Sequence, residues 1–354
     1  MSWRAAVIGV LACAVVHGQQ LGAGVELVER IGGLARPWGA AALPDGRLIV
    51  SEFEGTLRLF GPDDRLLAAL PAPDDLDQRR IVRGDNTGAF DVVVDPGFLE
   101  NGTVYWAYAA RVEDESFLKV VALRLQDNDF GEPRDLWAVT PSGGDRYHYG
   151  GALAFDRDGG LLVATGERYS SAAGQGGRFP SQQSEDGRGK LWRLTQLDER
   201  TPAAEIVAAG LRNVQSIAGD ASTDIWFVDH GPIGGDELNR LVVGANYGWP
   251  LETSGRYKPP GPGSLPSRPD LVPPAHTWSE PTLAPSGLLW HANGWLVTGL
   301  SSGRLVHLRQ SDRGWVQEEW IVGLRLRDVI RDGAGRLLVL TDERDGRVLE
   351  VRHR

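Results

Sequence analysis

Residues 335–340, which read GRLLVL, combine a turn with a short run of apolar residues, and this small unit recurs along the chain. Its turns contain Gly, Asn or Asp, which adopt the backbone angles of tight hairpins, and the residues after each turn suit a buried strand. Each copy is therefore predicted to be a hairpin turn that leads into a buried β-strand. The six copies are residues 45–50, 101–106, 159–163, 222–228, 293–297 and 335–340.

The spacing of the copies predicts how they are arranged. Successive copies lie roughly 40 to 70 residues apart, which suits a four-stranded sheet with variable loops. A ring of such sheets leaves only short, protected edges. The 46 Gly and 21 Pro of the 354 residues also favour an all-β protein with many turns. The prediction is an all-β, six-bladed β-propeller in a single domain over residues 19–354.

Residues 1–18 are predicted to be a cleaved export signal. One Arg precedes an apolar run over residues 5–16, and this run is too short to span a bilayer. A buried first strand and lipid attachment at Cys13 are the alternatives. Cys13 is the only cysteine, so the mature protein would have no disulfide and no thiol ligand. We expect a periplasmic or secreted protein without a membrane span.

The distribution of charge and histidine excludes two classes of function. The net charge is −10 and is spread without long blocks of one sign, which disfavours a nucleic-acid partner because a polyanion needs a basic surface. No pair of histidines has the His-Glu-x-x-His spacing of a zinc site. His148 is nevertheless a candidate base, because it precedes a predicted strand beside two glycines and a neutral imidazole accepts protons near neutral pH. A packing role in a turn is the alternative.

Polar residues that suit a binding site are concentrated in residues 211–250 and near residue 325. Arg325 and Arg327 alternate in an extended segment and would point the same way, as a clamp for a ligand with several carboxylates. Surface charges without a role are the alternative. Residues 299–303, GLSSG, match a nucleophile-elbow pattern, but the strand-like residues after them favour a hairpin turn.

Four motifs in the chain are specific in sequence: GLRNVQ (residues 210–215), HGPIGGDELN (230–239), NYGWP (246–250) and RLRDV (325–329). Together they make the chain resemble the glucose/sorbosone dehydrogenase family, the soluble quinoprotein aldose dehydrogenases that use pyrroloquinoline quinone (PQQ). The resemblance extends from residue 34 to residue 346. It implies a six-bladed propeller with PQQ across the top of its channel, in agreement with the repeats.

The resemblance also implies roles for individual residues. His148 corresponds to the base that takes the proton of the anomeric hydroxyl as hydride passes from sugar C1 to the quinone C5. Arg212 and Asn213 correspond to contacts of the quinone oxygens, where a cation stabilises the charge that develops on reduction. Further PQQ contacts are implied for Asn86, Tyr257, Gly299, Leu300, Ser301, Arg325 and Arg327.

Two calcium sites are implied in the same way. The carbonyls of Gly231 and Pro232 would help to hold the calcium that binds PQQ and polarises its C5 carbonyl as a Lewis acid. Glu237 and Tyr247 match positions of a second, structural calcium site in the bacterial aldose dehydrogenases.

Three residues depart from the usual pattern of the family: Asn86 replaces Gln, Ala152 replaces Arg, and Ser301 replaces Lys. Losing the lysine removes a charge that would pair with a PQQ carboxylate, an interaction of about 1 to 3 kcal/mol if partly buried. Arg304 is the nearest alternative cation in the sequence.

The leading hypothesis is an exported, PQQ- and Ca²⁺-dependent dehydrogenase that oxidises aldose sugars at C1 to lactones and passes electrons to a soluble acceptor. Two alternatives stay open, because propellers host many functions. One is a calcium-dependent sugar lactonase, which would need side-chain carboxylates converging on calcium in the channel. The other is a non-catalytic propeller that has lost its cofactor.

Overall fold

The computed structural model describes residues 19–21, 25–78, 87–142, 147–169, 179–256 and 268–353. Its strands form six sheets, so the predicted all-β, six-bladed propeller is confirmed. The predicted export signal, residues 1–18, lies outside the described residues. No helix in the described part of the chain is long and apolar enough to cross a membrane.

The strands follow one another blade by blade along the chain. Strands β1 (Gln19–Leu21) and β2 (Val25–Leu34) come first and belong to the last blade. Blade 1 contains β3 (Pro37–Ala42), β4 (Leu48–Glu52), β5 (Leu57–Phe60) and β6 (Leu66–Leu70). Blade 2 contains β7 (Ala89–Val94), β8 (Thr103–Val112), β9 (Glu115–Gln126), β10 (Asp129–Phe130) and β11 (Arg134–Ala138), with one helical turn, α1 (Phe98–Asn101), between β7 and β8.

The next three blades repeat the pattern. Blade 3 contains β12 (Gly150–Phe155), β13 (Leu161–Thr165), a 3-10 turn (Pro180–Gln182), β14 (Lys190–Thr195), β15 (Ala203–Ala209) and, from further along the chain, β19 (Ala245–Asn246). Blade 4 contains β16 (Val214–Gly219), β17 (Ile225–Asp229), β18 (Asp236–Arg240) and β20 (His276–Trp278). Blade 5 contains β21 (Pro285–His291), β22 (Gly294–Gly299), β23 (Arg304–Ser311) and β24 (Gly314–Ile321).

Blade 6 closes the ring with strands from both ends of the chain. It contains β25 (Leu326–Arg331), β26 (Leu337–Thr341) and β27 (Gly346–His353), and β27 pairs antiparallel with β2 from Val25 opposite His353 to Leu34 opposite Gly346. The innermost strands contact one another around the ring, which closes between β25 and β3. Because the two ends share one sheet, the ring has no open blade edge at its closure.

The six sequence repeats correspond to the second strand of each blade: β4, β8, β13, β17, β22 and β26. Every residue of β4, β13, β22 and β26 is buried. This burial explains their uninterrupted apolar character, because a blade is covered on both faces by its neighbours. The predicted hairpin turns into buried strands are therefore confirmed.

Each innermost strand carries a bulge near its start, and a four-residue unit marks it. The pairing register shifts there in all six strands. The third residue of the unit is small in blades 1, 3 and 5, where it is Gly39, Ala152 and Gly287, and can accept a hydrogen bond in blades 2, 4 and 6. The six units are residues 37–40 (PWGA), 89–92 (AFDV), 150–153 (GGAL), 214–217 (VQSI), 285–288 (PSGL) and 326–329 (LRDV).

The acceptors join the blades in pairs around the channel. Asp91 Oδ2 accepts a hydrogen bond from Leu153 N at 3.0 Å. Ser216 Oγ accepts one from Leu288 N at 3.1 Å. Asp328 Oδ2 accepts one from Ala40 N at 3.2 Å, which links blade 6 to blade 1. A bulge leaves a backbone N–H without its ladder partner, and these side chains satisfy it.

The stability of the folded protein should depend on whether the Asp91 carboxyl group in the channel is ionised. Burial and the neighbouring Asp328 raise the pKa of Asp91 above its ordinary value. A raised carboxyl pKa contributes stability that is full below the unfolded pKa and is lost as pH rises toward the folded pKa. We therefore expect the free energy of unfolding of the wild type, measured by denaturant titration relative to Asp91→Asn, to fall steadily from pH 5 to pH 8, by up to about 1.4 kcal/mol per pH unit.

Ser216→Ala is the matched control, because it removes an interblade hydrogen bond without removing a titrating group. Its destabilisation should be the same at both pH values. A constant difference between the wild type and Asp91→Asn would show that Asp91 is ionised in the folded protein throughout this range.

Candidate active site

The candidate site lies at the end of the propeller where the innermost strands begin, here called the top face. Neighbouring strands of a blade are antiparallel, so the second strand ends where the innermost strand starts. Residues that precede β12, β16 and β25 therefore meet residues that follow β13, β17 and β26. The structure places His148, Arg212, Asn213, Arg325 and Arg327 on this face. Glu167 joins the first two, because its side chain contacts His148 and its backbone nitrogen donates to the carbonyl of Arg212. Arg327 Nη1 donates to Gln215 Oε1 at 3.2 Å, which ties blade 6 to the strand that follows Arg212 and Asn213.

His148 is held by a buried carboxylate. Its Nδ1 lies 2.5 Å from Glu167 Oε1, and both residues are buried. A carboxylate only accepts hydrogen bonds, so Nδ1 carries the hydrogen and Nε2 presents its lone pair. Burial, with a contribution from Arg212, lowers the pKa of His148 to about 4, against the opposing effect of Glu167. The imidazole is thus neutral and oriented at neutral pH, which is the state that a general base requires.

The backbone around His148 is tightly constrained. His148 has a φ of 50°, in the left-handed region that few non-glycine residues adopt. A Cβ on Gly166 would lie 1.9 Å from the carbonyl oxygen of His148, so only glycine fits there. The Tyr169 ring packs against the imidazole at 4.9 Å between centroids. A strained backbone held by its surroundings is typical of functional sites.

Arg212 and Asn213 are fixed by a single carboxylate. Asp229 accepts hydrogen bonds from both backbone nitrogens, at 2.9 Å from Arg212 and 2.6 Å from Asn213. Burial raises the pKa of Asp229 to about 6 despite these bonds. The Asn213 Oδ1 accepts from Gly150 N at 3.1 Å, which links blades 3 and 4.

The Arg212 guanidinium is only partly satisfied within the protein. Its Nη1 donates to the carbonyl of His230 at 3.1 Å, and its Cζ lies 5.1 Å from the centre of the Trp249 ring. Its Nε is buried and has no partner among the described residues. His230 itself hydrogen-bonds through Nε2 to the carbonyl of Pro285 at 2.8 Å, and burial lowers its pKa to about 3. Arg212 is therefore the principal positive charge beside the two histidines.

The loop after His230 is compact and leaves two carbonyls without a protein donor among the described residues. A Cβ on Gly231 would lie 2.2 Å from the carbonyl oxygen of Gly234, so the loop requires glycine. Asp236 anchors it by accepting from Gly231 N at 3.0 Å and from Ala284 N at 2.8 Å. Within the described ranges, no hydrogen bond is donated to the carbonyls of Gly231 or Pro232. These oxygens are the kind of ligand that Ca²⁺ prefers.

The predicted arginine clamp is built around Asp342. Arg325 donates to Asp342 Oδ2 from Nη2 at 2.6 Å and from Nε at 3.0 Å, and Arg327 Nη2 lies 3.3 Å from the same oxygen. Arg327 is buried, with its Cζ 3.7 Å above the Trp38 ring. Although burial opposes it, Arg327 and Arg325 lower the pKa of Asp342 to about 2. Arg327 is thus a buried residue with defined contacts and not a surface charge.

The Gly299–Ser301 segment forms the turn between β22 and β23, which pair antiparallel, as the hairpin prediction required. Leu300 is buried and its carbonyl accepts from Arg325 Nη1 at 3.2 Å, so the turn adjoins the clamp. Arg304 is engaged elsewhere, since its Nη1 donates to Glu319 Oε2 at 2.7 Å. It does not stand in for the lysine that Ser301 replaces.

Glu237 and Tyr247 line one cavity of about 260 Å³ together with Glu252. Burial, with Asp229, Asp236 and Glu252 nearby, raises the pKa of Glu237 to about 8. The Tyr247 hydroxyl is occupied, because it donates to the carbonyl of Arg240 at 2.6 Å and accepts from Val242 N at 2.9 Å. A cation in this cavity would therefore be held by carboxylate and backbone oxygens, with the phenol fixing the loop.

Two predicted contacts, Asn86 and Tyr257, lie outside the described residues. Within the part that is described, no group of three or more His, Cys, Asp or Glu side chains is placed to hold a metal ion. The lactonase alternative would need such converging carboxylates.

Sequence reasoning missed the acidic residues that position the site. Glu52, Glu167, Asp229 and Asp342 stand at or just after the end of β4, β13, β17 and β26. Glu52 acts likewise in blade 1, where Oε1 accepts from Ala35 N at 2.7 Å. The signal was present, because in four of the six repeats an acidic residue follows one to four positions after the apolar run.

Comparisons with known proteins agree with the fold and with the class of enzyme. The sequence model of the family described as Glucose / Sorbosone dehydrogenase matches residues 34–350. The chain belongs to the glucose/sorbosone dehydrogenase family. The predicted class of enzyme, a quinoprotein sugar dehydrogenase, is confirmed at the level of this family.

Individual relatives align with this chain over most of their length. Aldose sugar dehydrogenase YliI of Escherichia coli is 30% identical over 90% of this chain and 90% of that protein. The uncharacterized protein slr1608 of Synechocystis is 30% identical over 92% of this chain and 86% of that protein. The crystal structure of the apo-form of the soluble aldose sugar dehydrogenase from E. coli has a TM-score of 0.81 and 27% identity, and covers 93% of this chain and 100% of that one.

Proposed function

We propose that this sugar dehydrogenase oxidises aldoses at C1 to lactones with PQQ and Ca²⁺, and that His148 is its base. The observation that carries the proposal is the pair of His148 and Glu167, 2.5 Å apart, on the same face as Arg212 and the arginine clamp. A neutral, oriented imidazole beside a group of guanidiniums suits removal of a proton while negative charge develops nearby.

The residues of the top face fit PQQ, which is a planar tricarboxylate. Arg325 and Arg327 offer fixed guanidiniums that match carboxylates. The Nε atoms of Arg212 and Arg327 are buried without partners among the described residues, and a buried donor without a partner costs about 1 to 3 kcal/mol unless a ligand satisfies it. In this proposal Arg325 and Arg327 hold the carboxylates, and Arg212 and Asn213 face the quinone oxygens.

The loop at Gly231 and Pro232 fits a calcium ion in the same site. Its carbonyls have no protein donor in the described ranges, and Ca²⁺ takes oxygen ligands of this kind. When bound, PQQ would supply an electrophilic carbonyl that accepts hydride, and calcium would supply Lewis acidity. All other groups in the proposed reaction come from the chain.

The chain's own contribution is to hold the sugar's proton acceptor in place. Nε2 of His148 takes the proton of the anomeric hydroxyl as the C1–H bond breaks, which leaves a C1 carbonyl in the lactone. Glu167 holds Nδ1–H and stabilises the imidazolium that forms, because a carboxylate lies 2.5 Å away. A soluble acceptor then receives the electrons, and the predicted export signal would place the reaction outside the cytoplasm.

The proposal is tested by mixing the purified protein with PQQ, Ca²⁺ and a redox dye and adding a panel of aldoses. Sugar-dependent dye reduction that requires both PQQ and Ca²⁺ is expected. A parallel assay measures hydrolysis of sugar lactones without quinone. Lactone hydrolysis in the absence of dye reduction would replace the proposal with the lactonase alternative.

A second calcium ion is proposed at Glu237, in the cavity shared with Tyr247 and Glu252. Three nearby acidic residues make a cation favourable there. At 100 times its dissociation constant, a ligand stabilises a protein by about 2.7 kcal/mol. We expect Ca²⁺ to raise the melting temperature of the cofactor-free protein by about 5 °C and EDTA to reverse this.

The Glu237→Gln variant should lose most of this shift, while Glu318→Gln, at an exposed position on β24, should keep it. An equal calcium response in Glu237→Gln and the wild type, measured by calorimetry, would exclude Glu237 as a ligand.

A further inference from the structure

Three guanidiniums surround Asp342, and two of them are the predicted clamp. The third is Arg36, whose Nε lies 3.8 Å from Asp342 Oδ1. Arg325 and Arg327 both contact the other carboxylate oxygen, Oδ2. One carboxylate balances one positive charge, so the cluster keeps an excess of positive charge in a protein whose net charge is −10. Such an excess on a partly buried surface favours an anionic ligand.

Aromatic rings hold Arg36 in this place. Its Cζ lies 4.6 Å from the centre of the Phe53 ring, and Phe53 stacks on Trp38 at 5.4 Å between centroids and 21° between planes. Arg327 packs on Trp38 in turn. The order Arg36, Phe53, Trp38, Arg327 is a continuous stack in which each cation lies against a ring, an arrangement that fixes guanidiniums without neutralising them.

The backbone of Arg36 is also specialised. Its φ is 53°, in the left-handed region, which is unfavourable for a residue with a Cβ. Its carbonyl accepts from Phe53 N at 2.9 Å, so the turn before β3 is tied to the end of β4. The side chain is 30% exposed, and its Nη atoms have no partner among the described residues. The turn therefore presents free donors at the top face.

The turn at Ser301 in blade 5 offers no free cation. Ser301 stands where the resemblance implies a lysine, and Arg304 is paired with Glu319. Arg36 reaches the same cluster from blade 1, since Arg325 contacts both Asp342 and the carbonyl of Leu300 in the Ser301 turn.

We propose that Arg36 is a third carboxylate-binding residue for the cofactor and supplies, from blade 1, the positive charge that blade 5 lacks. This inference rests on the proposed use of PQQ. Together, Arg36, Arg325 and Arg327 would provide three guanidiniums for a ligand with three carboxylates, with Asp342 fixing their positions.

The test is a titration of PQQ, in the presence of Ca²⁺, into the wild type, Arg36→Gln, Arg36→Lys and Arg304→Gln, followed by absorbance. Arg36→Gln should weaken binding about tenfold, because it removes a charge-assisted contact at a partly exposed site. Arg36→Lys should recover part of the loss, and Arg304→Gln should bind as the wild type does. Melting temperatures of the free proteins check that each variant is folded.

The trimethyl ester of PQQ separates the charge of Arg36 from its packing. The ester lacks the carboxylates, so the wild type and Arg36→Gln should bind it equally. Equal binding of PQQ itself by both proteins would overturn the inference while leaving the proposed function intact, and so would an equal loss of PQQ and ester in Arg36→Gln. Failure of the wild type to bind PQQ would instead overturn the proposed function.

Discussion

Replacing His148 with glutamine is expected to lower the rate of aldose oxidation by about a thousandfold, because a positioned general base contributes roughly 10²- to 10⁴-fold. Glutamine can still hydrogen-bond to Glu167, so the loop should keep its shape. The affinity for PQQ should change by less than about threefold, since the proton acceptor is not among the proposed cofactor-binding groups. Steady-state dye reduction measures the rate, and absorbance titration measures cofactor binding.

Glu167→Gln distinguishes the base from the residue that positions it. The neutral amide no longer requires hydrogen on Nδ1 and no longer stabilises the imidazolium, so an intermediate loss of roughly 10- to 100-fold is expected. Glu167 raises the pKa of His148. Activity falls as the base becomes protonated, so removing this carboxylate should move the acid limb of kcat/KM to lower pH.

His276→Gln is the control for these substitutions, because His276 lies on β20 of blade 4 and has no proposed role in the reaction. A His148→Gln enzyme that kept more than about a tenth of the wild-type rate would show that another group accepts the proton. Loss of both rate and PQQ binding in the same variant would assign His148 to cofactor binding instead.

Replacing Arg327 with methionine should weaken PQQ binding by about 100-fold, equivalent to about 2.7 kcal/mol. The guanidinium is buried, lies against Trp38 and has an Nε without a partner among the described residues. A charge-assisted contact in such surroundings is worth more than an exposed one. Methionine keeps much of the volume against Trp38, and Asp342 keeps Arg325 as a partner.

Arg327→Lys should give an intermediate affinity, because lysine retains the charge but not the planar donor geometry or the stacking. Arg347→Gln is the control, since the partner of that arginine is Glu343, at 2.8 Å, and not Asp342. Unchanged PQQ affinity in Arg327→Met, in a protein with a wild-type melting temperature, would remove Arg327 from the cofactor site.

The fold was predictable because the repeat is a local property of the chain. A turn followed by an apolar run, as in residues 159–163, is enough to identify the second strand of a blade. The bulged unit at the start of each innermost strand was less visible. Its third residue varies, for example from Gly39 to Asp91 to Ser216. Around the ring a small residue alternates with a hydrogen-bond acceptor, and this alternation is visible only when neighbouring blades are compared in the structure.

Site residues that belong to recognisable sequence motifs were predictable. Their hydrogen-bond and ion-pair partners were less so, because these come from distant segments of the chain. Glu167 lies near His148 in sequence, but its role depends on the antiparallel pairing of β12 and β13, which brings the strand ends together. Arg36 and Asp342 are 306 positions apart and meet only because the ring closes between blades 6 and 1. Arg304, near Ser301 in sequence, is directed to Glu319 by the pairing of β23 with β24.

The proposed function requires that the top face binds PQQ and lets an aldose reduce it. This is measured by the absorbance spectrum of the protein loaded with one equivalent of PQQ and excess Ca²⁺, recorded without oxygen before and after an aldose is added. We expect loss of the oxidised-quinone absorbance and appearance of the reduced form, in proportion to the bound PQQ and absent in His148→Gln on the same timescale. A spectrum of bound PQQ that stays oxidised with every aldose, or PQQ that does not bind, would contradict it.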